Sequence, residues 1–212
     1  MPILDKITAG DPDGAITVVL LHGYGSNMHD LADLAPIFGP GVRVDCLQGP
    51  IDLEGGDSDC RAWYNLEFTP QGVRANPSEA KAAADLIAAE LDRNYADVAL
   101  AGKLWLGGFS QGSMMSHAVL LRHPHLLRGI FGFSGRFMPE IFADAAELDL
   151  SGKSVFLSHG RQDAVIPFSF GEQLRDFYQR KGVDMAWSED NSAHTISGKA
   201  SQAASGFFAA RQ

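Results

Sequence analysis

Short, largely apolar runs of strand length recur along the chain at residues 18–21, 42–47, 104–109, 130–133 and 155–157, and longer amphipathic stretches separate them. A segment apolar on both faces is stable only when both faces are covered, and amphipathic helices are what cover the two faces of a parallel sheet. The pattern predicts an α/β fold: a mostly parallel central sheet with helices on both sides. A chain of 212 residues can bury roughly 70% of its unfolded surface in one core. No repeat, low-complexity tract or linker divides it, so residues 1–212 are expected to form a single domain.

Local signals place the elements. Asn27 is positioned to cap a helix through Leu31, Leu34 and Phe38, which Gly39-Pro40-Gly41 stops. Residues 48–76 are polar and irregular, but they interleave Trp63, Tyr64 and Phe68 after Gly55-Gly56, which points to a functional loop rather than a disordered one. Asn76-Pro77-Ser78-Glu79 reads as an N-cap, a proline at the first helical position and a carboxylate reaching back, opening an alanine-rich helix to about residue 94. A further helix follows Ser110 and ends at Pro124; others are expected at about 171–181 and 198–210, with an edge strand near 185–187.

Charge and cysteine content exclude several classes of partner. Lys and Arg number 17 against 26 Asp and Glu, a net charge of −9 with no basic run, so nucleic acid and anionic membranes are poor partners. The two cysteines, Cys46 and Cys60, could form at most one bridge, far short of a secreted disulfide framework. The first residues, Met1-Pro2-Ile3-Leu4-Asp5, show no basic region followed by an apolar one, so no signal peptide is expected. No apolar run approaches the roughly 20 residues of a membrane span. A cytoplasmic protein without integral membrane association is the expectation.

The most informative segment is Gly108-Phe109-Ser110-Gln111-Gly112, a GxSxG between a strand and a helix. In such an elbow the turn is tight enough to strain the serine, and glycine on either side lets strand and helix approach. The same residues could form an ordinary turn in which Ser110 merely caps the helix. A nucleophilic serine needs a base, and the base needs an oriented tautomer.

Among the seven histidines, His22 and His159 precede glycines at strand ends, where backbone direction is the simpler reason for them. His29 starts a surface helix, His117 is expected to pack, and His123 and His125 suit a cationic cap or a metal pair that lacks a third ligand. His194 remains, in the polar loop Asn191-Ser192-Ala193-His194, and strand-end loops are where open α/β sheets carry chemistry. Asp163, after the strand at 155–157, has the right order between serine and histidine; Asp144, Asp149 and Asp184 are rival carboxylates in turns or before strands. An oxyanion hole would draw one backbone N–H from Gln111 and another from Tyr24, in His22-Gly23-Tyr24-Gly25-Ser26, unless Gly23 and Gly25 are only turn residues.

These segments resemble the small carboxylesterase and acyl-protein thioesterase (phospholipase/carboxylesterase) family of the α/β-hydrolases. The resemblance runs from about residue 18 to 196. It is carried by Leu21-His22-Gly23-Tyr24-Gly25, Gly107-Gly108-Phe109-Ser110-Gln111-Gly112, the stretch from His159-Gly160-Arg161-Gln162-Asp163 to Pro167, and Ala193-His194-Thr195-Ile196. It implies a minimal sheet without a large cap domain, a catalytic triad of Ser110, Asp163 and His194, oxyanion donors at Tyr24 and Gln111, and no metal or cofactor. It also implies that Arg61-Ala62-Trp63 lies along the acyl pocket, with Trp63 as an apolar wall and Arg61 as a tether; Trp63 could equally be a core residue beneath a long loop. Family members often carry glycine and methionine before the histidine, whereas Ser192 and Ala193 stand here. The expected activity is hydrolysis of a carboxylic ester or thioester, lysophospholipids included. The alternative is a non-catalytic module that binds acyl ligands or proteins on the same fold. The resemblance suggests a homodimer, with a monomer as the alternative.

Overall fold

The structure, a computed structural model, describes residues 4–55, 59–69, 72–142 and 147–212; residues 1–3, Gly56 and Asp144, which enter the sequence reading, lie outside them. In chain order its strands are β1 (Lys6–Gly10), β2 (Ile16–Leu21), β3 (Val42–Leu47), β4 (Ile51–Asp52), β5 (Arg61–Ala62), β6 (Leu66–Thr69), β7 (Gly72–Ala75), β8 (Leu104–Phe109), β9 (Gly129–Phe133), β10 (Ser154–Gly160) and β11 (Asp184–Asp190). The helices are α1 (Pro77–Leu100), α2 (Gln111–Arg122), α3 (Pro139–Phe142), α4 (Phe168–Arg180) and α5 (Gly198–Ala209).

Seven strands make the central sheet, in the order β1-β3-β2-β8-β9-β10-β11. All neighbours are parallel except β1, which runs antiparallel to β3 at the edge. The chain builds outward from β2 to β3, then crosses back to place β8 on the other flank of β2. That reversal lies between the ends of β2 and β8, and open sheets place their ligand crevice at such a switch point. Two hydrophobic layers sandwich the sheet. One joins Val19, Leu21, Leu106 and Leu157 to Ile87 and Leu91 of α1, Met115 and Val119 of α2 and Leu174 of α4. The other joins Val18, Leu20, Phe131 and Phe156 to Phe38 and to Phe207 and Phe208 of α5.

Several elements differ from their sequence signals. β1 has no apolar run; its Lys6 and Thr8 side chains instead reach the buried carboxylate of Asp45 on β3, at 2.7 and 2.6 Å. Arg43 and the Tyr95 hydroxyl complete that carboxylate's partners, as burial of a charge requires. α1 runs on past residue 94 to Leu100, and Tyr95 has a non-helical backbone where the two parts merge. Its cap is as expected, Asn76 accepting from the Ser78 N–H at 2.9 Å, but Glu79 does not reach back and instead takes the Asn65 backbone and side-chain N–H groups. The helix expected from Asn27 is a 3-10 helix at Ala32–Phe38 with Pro36 inside it, and Asn27 closes a separate turn by accepting from the His29 N–H. Within residues 48–76, β4 pairs with β5 and β6 with β7, so part of this loop is laddered. α4 starts earlier than residue 171, directly after Pro167.

Candidate active site

Ser110 is the hinge residue between β8 and α2, at φ 54° and ψ −115°, a left-handed backbone that a residue with a Cβ adopts only under strain of order 1–3 kcal/mol. Packing enforces the turn. A Cβ on Gly108 would lie 2.3 Å from the Gly112 carbonyl carbon, and one on Gly112 would lie 1.9 Å from the Leu21 carbonyl oxygen, so both positions must be glycine. The Ser110 N–H donates to the Phe133 carbonyl at 2.9 Å, tying the elbow to the end of β9.

Three side chains from three strand-end loops meet here. Nε2 of His194 lies 2.9 Å from Ser110 Oγ, and its Nδ1 lies 2.6 Å from Asp163 Oδ2. The Nδ1–H therefore donates to the carboxylate, which leaves Nε2 to accept from the serine hydroxyl. Asp163 has a fully buried side chain whose other oxygen, Oδ1, accepts the N–H groups of Val165 and Ile166 at 2.9 and 2.8 Å. Nε2 of His159 donates to the Ile166 carbonyl at 2.8 Å and stands 3.4 Å from Asp163 Oδ2; burial pushes its pKa down, which keeps the ring neutral beside the carboxylate. The ring of Phe109 packs on the His194 imidazole at a centroid distance of 4.7 Å.

The His194 loop is fastened at both ends by Asp190, which accepts from the Ser192 N–H at 2.8 Å and from the Ser197 hydroxyl. Ser197 in turn caps α5 through the Ala200 N–H at 3.1 Å. On the Ser110 flank, the Cβ position of Gly23 is 3.5 Å from Ser110 Cβ, so the loop after β2 that carries Tyr24 abuts the elbow. Gly25 and Ser26 of that loop are paired with Arg61: the Gly25 N–H donates to the Arg61 carbonyl at 2.9 Å and the Arg61 N–H to the Ser26 carbonyl at 2.8 Å. The Arg61 guanidinium stands 3.7 Å from Asp52. Trp63 is 2% exposed and its indole N–H donates to the His22 carbonyl at 2.9 Å.

The remaining candidates lie elsewhere. His117 is fully buried against the Tyr178 hydroxyl at 2.9 Å, and burial takes its pKa to about 3. His123 does not act as a free cationic cap; its Nε2 is 2.8 Å from Asp85 of α1, a carboxylate it shares with Arg122. His29 is exposed, Asp149 bonds Ser151 in a turn, and Asp184 pairs with Arg211. Among the described residues no group of His, Cys, Asp and Glu is arranged to hold a metal ion.

Sequence reasoning did not anticipate the side chains of Gln111, His22, His159 and Asp190. For Asp190 a signal existed, since an acid and a serine bracket the His194 loop.

A mostly parallel sheet of this order, with a serine elbow after its central strand, is the α/β-hydrolase fold. Comparison with known proteins narrows it. The chain matches the phospholipase/carboxylesterase family over residues 4–211 and belongs to that family of carboxylesterase and acyl-protein thioesterase serine hydrolases. It is 30% identical over 191 residues to acyl-protein thioesterase 1 of Gibberella zeae, covering 81% of this chain and 79% of that protein. Against acyl-protein thioesterase 1 of Kluyveromyces lactis it is 30% identical over 133 residues, covering 61% of this chain and 58% of that relative's length. Among solved structures it resembles esterase PE8, with TM-score 0.82, 26% identity and full coverage of both chains. Among the described residues no helix is long and apolar enough to cross a membrane.

Proposed function

We propose that this chain hydrolyses carboxylic esters or thioesters through an acyl-enzyme on Ser110, as a single α/β-hydrolase domain over residues 1–212. His194 takes the Ser110 hydroxyl proton as Oγ attacks the acyl carbon, and Asp163 stabilises the resulting imidazolium. The oxyanion is received by the backbone N–H groups of Tyr24 and Gln111. His194 then returns the proton to the leaving alcohol or thiol, and the same base activates water to release the acid. All protons and charges are accounted for within the triad and the hole, so the reading calls for no metal or cofactor. Trp63, from the core beneath residues 48–76, and Arg61, as a tether, would support the acyl side of the site without lining it, and acyl-thioesters and lysophospholipids fall within the same chemistry. A cytoplasmic location belongs to this reading, as does a homodimer with a monomer as its alternative; light scattering would separate the two.

The observation that supports it most is the continuous hydrogen-bonded path from Ser110 Oγ through His194 to the buried Asp163 carboxylate. The test is fluorophosphonate labelling with mass spectrometry of the adduct, alongside turnover of 4-nitrophenyl butyrate. Label on Ser110 and turnover abolished in Ser110→Ala are expected. An unlabelled Ser110 with no turnover on any ester or thioester of a chain-length panel would leave a binding module on a hydrolase fold.

A further inference from the structure

We infer that residues 61–64 form a strut that fixes the separation of the two oxyanion donors, with the Gln111 side chain as its anchor and Trp63 as its crosspiece. The inference rests on the reading of the Tyr24 and Gln111 N–H groups as those donors.

Gln111 is 1% exposed, and both ends of its amide are committed to neighbouring residues of one segment. Oε1 accepts the Trp63 N–H at 3.0 Å, and Nε2 donates to the Tyr64 carbonyl at 2.8 Å. So the residue whose own N–H is one donor also grips the segment. Its other end grips the loop of the second donor. The Trp63 indole N–H holds the His22 carbonyl, and Arg61 exchanges two backbone bonds with Gly25 and Ser26. Tyr24 is thereby bracketed: residue 22 on one side and residues 25 and 26 on the other are all bonded to residues 61–63. His22 is itself fixed. Its Nε2 accepts the Gly49 N–H at 2.9 Å, which puts the ring proton on Nδ1, 2.7 Å from the Gly23 carbonyl.

The sheet also connects the two arms, through the pairing of Leu21 with Gly108, but that register ends before either donor. Beyond it the polypeptide leaves the sheet by the loop after β2 on one side and by the Ser110 elbow into α2 on the other, and residues 61–64 span them. An oxyanion hole works only when both N–H groups are about 2.7–3.1 Å from the developing oxygen, and a misplacement of about 1 Å costs roughly 10²-fold in rate. Trp63 and the Gln111 amide are on this argument positioning residues, acting on the transition state through the backbone they hold.

Trp63→Phe is the decisive variant, because it keeps an aromatic ring in the core while it deletes the bond to the His22 carbonyl; the smaller ring leaves a cavity whose cost falls on stability, which the count of titrated sites separates from kcat. Gln111→Met, close in shape but with no donor and only a weak thioether acceptor, is the second. Each is titrated with a fluorophosphonate to count competent Ser110, then assayed on 4-nitrophenyl butyrate and for inhibition by a trifluoromethyl ketone, whose adduct carries an oxyanion. The strut predicts kcat per titrated site lowered about tenfold to a hundredfold with KM nearly unchanged. It also predicts ketone affinity weakened in proportion to kcat/KM. A rise in KM with kcat intact would make Trp63 a pocket wall and overturn the strut. So would a loss confined to thermal stability or to the titratable fraction, since a structural role alone leaves kcat per site unchanged. Should Gln111→Met fail to fold, Trp63→Phe still decides. Absence of label in the unmodified protein would instead overturn the hydrolase reading, and the strut with it.

Discussion

A Cβ on Gly160 would lie 2.3 Å from the carbonyl oxygen of Ser192, so the end of β10 and the His194 loop touch backbone to backbone. The Gln162 N–H donates to that same carbonyl at 3.0 Å, and the Arg161 N–H to the Asp190 carbonyl at 2.7 Å. The loop that brings imidazole to hydroxyl is thus docked on the strand whose next turn carries Asp163.

Gly160→Ala is therefore expected to push the His194 loop outward. Overpacking of this kind costs about 1–3 kcal/mol of stability. Because the displaced loop carries the base, kcat should fall by more than KM rises. Thermal melts and steady-state kinetics on a short-chain ester check both. A variant with unaltered Tm and kcat would mean that the loop has another seat.

Asp163→Asn separates orientation from architecture. The amide oxygen can still accept the Val165 and Ile166 N–H groups, so the fold should persist. The amide nitrogen would then face His194 Nδ1 and favour the wrong ring tautomer. A fall in kcat of about 10⁴-fold, with KM little changed, is the expected size for this substitution in a Ser-His-Asp system. Retention of most activity would show that Asp163 is a structural carboxylate.

Asp190 has a different role, because it touches the loop ends and not the imidazole. Hydrogen bonds from Ser192, then Ser197, hold its carboxyl below the usual carboxylate range. A depressed folded pKa contributes stability that is present above the unfolded value of about 3.9 and is lost as pH falls through the lower folded value. Asp190→Ala should cost about 1 kcal/mol at neutral pH, given its exposure, and this deficit should vanish in strong acid. Chemical denaturation of both proteins across that pH range measures it. A deficit independent of pH would point to packing instead of charge.

The convergence of Ser110, Asp163 and His194 was legible because each sits in a local motif. A glycine-flanked serine, a carboxylate after an apolar strand and a histidine before the last helix are each written within a few residues of sequence. Their bracing was not, because each brace joins distant positions: Gln111 to Trp63 and Tyr64, His22 to Gly49, Asn65 to Glu79. Such bonds use backbone groups on one side, which carry no residue identity. β1 escaped for a related reason: its Lys6 and Thr8 serve a buried charge on Asp45, so apolar periodicity has nothing to report there. Residues 27–38 misled because Asn27 is a good cap in any turn, and its turn ends before the 3-10 helix starts.

The buried histidines predict how the fold responds to acid. His117 titrates near 3 in the folded chain and near 6.5 once unfolded, so between those values the unfolded chain holds a proton that the folded chain excludes. Stability attributable to this residue is complete above about pH 6.5 and declines continuously as pH falls towards 3. His22 and His159 are shifted in the same direction by burial, so they steepen the decline. His117→Gln keeps a hydrogen-bonding group near the Tyr178 hydroxyl and removes the titration. The slope of unfolding free energy against pH, measured by urea denaturation between pH 4 and 6, should then flatten by up to about 1.4 kcal/mol per pH unit, the value of one proton. An unchanged slope would mean that His117 exchanges its proton with solvent in the native state and that its site is open to water.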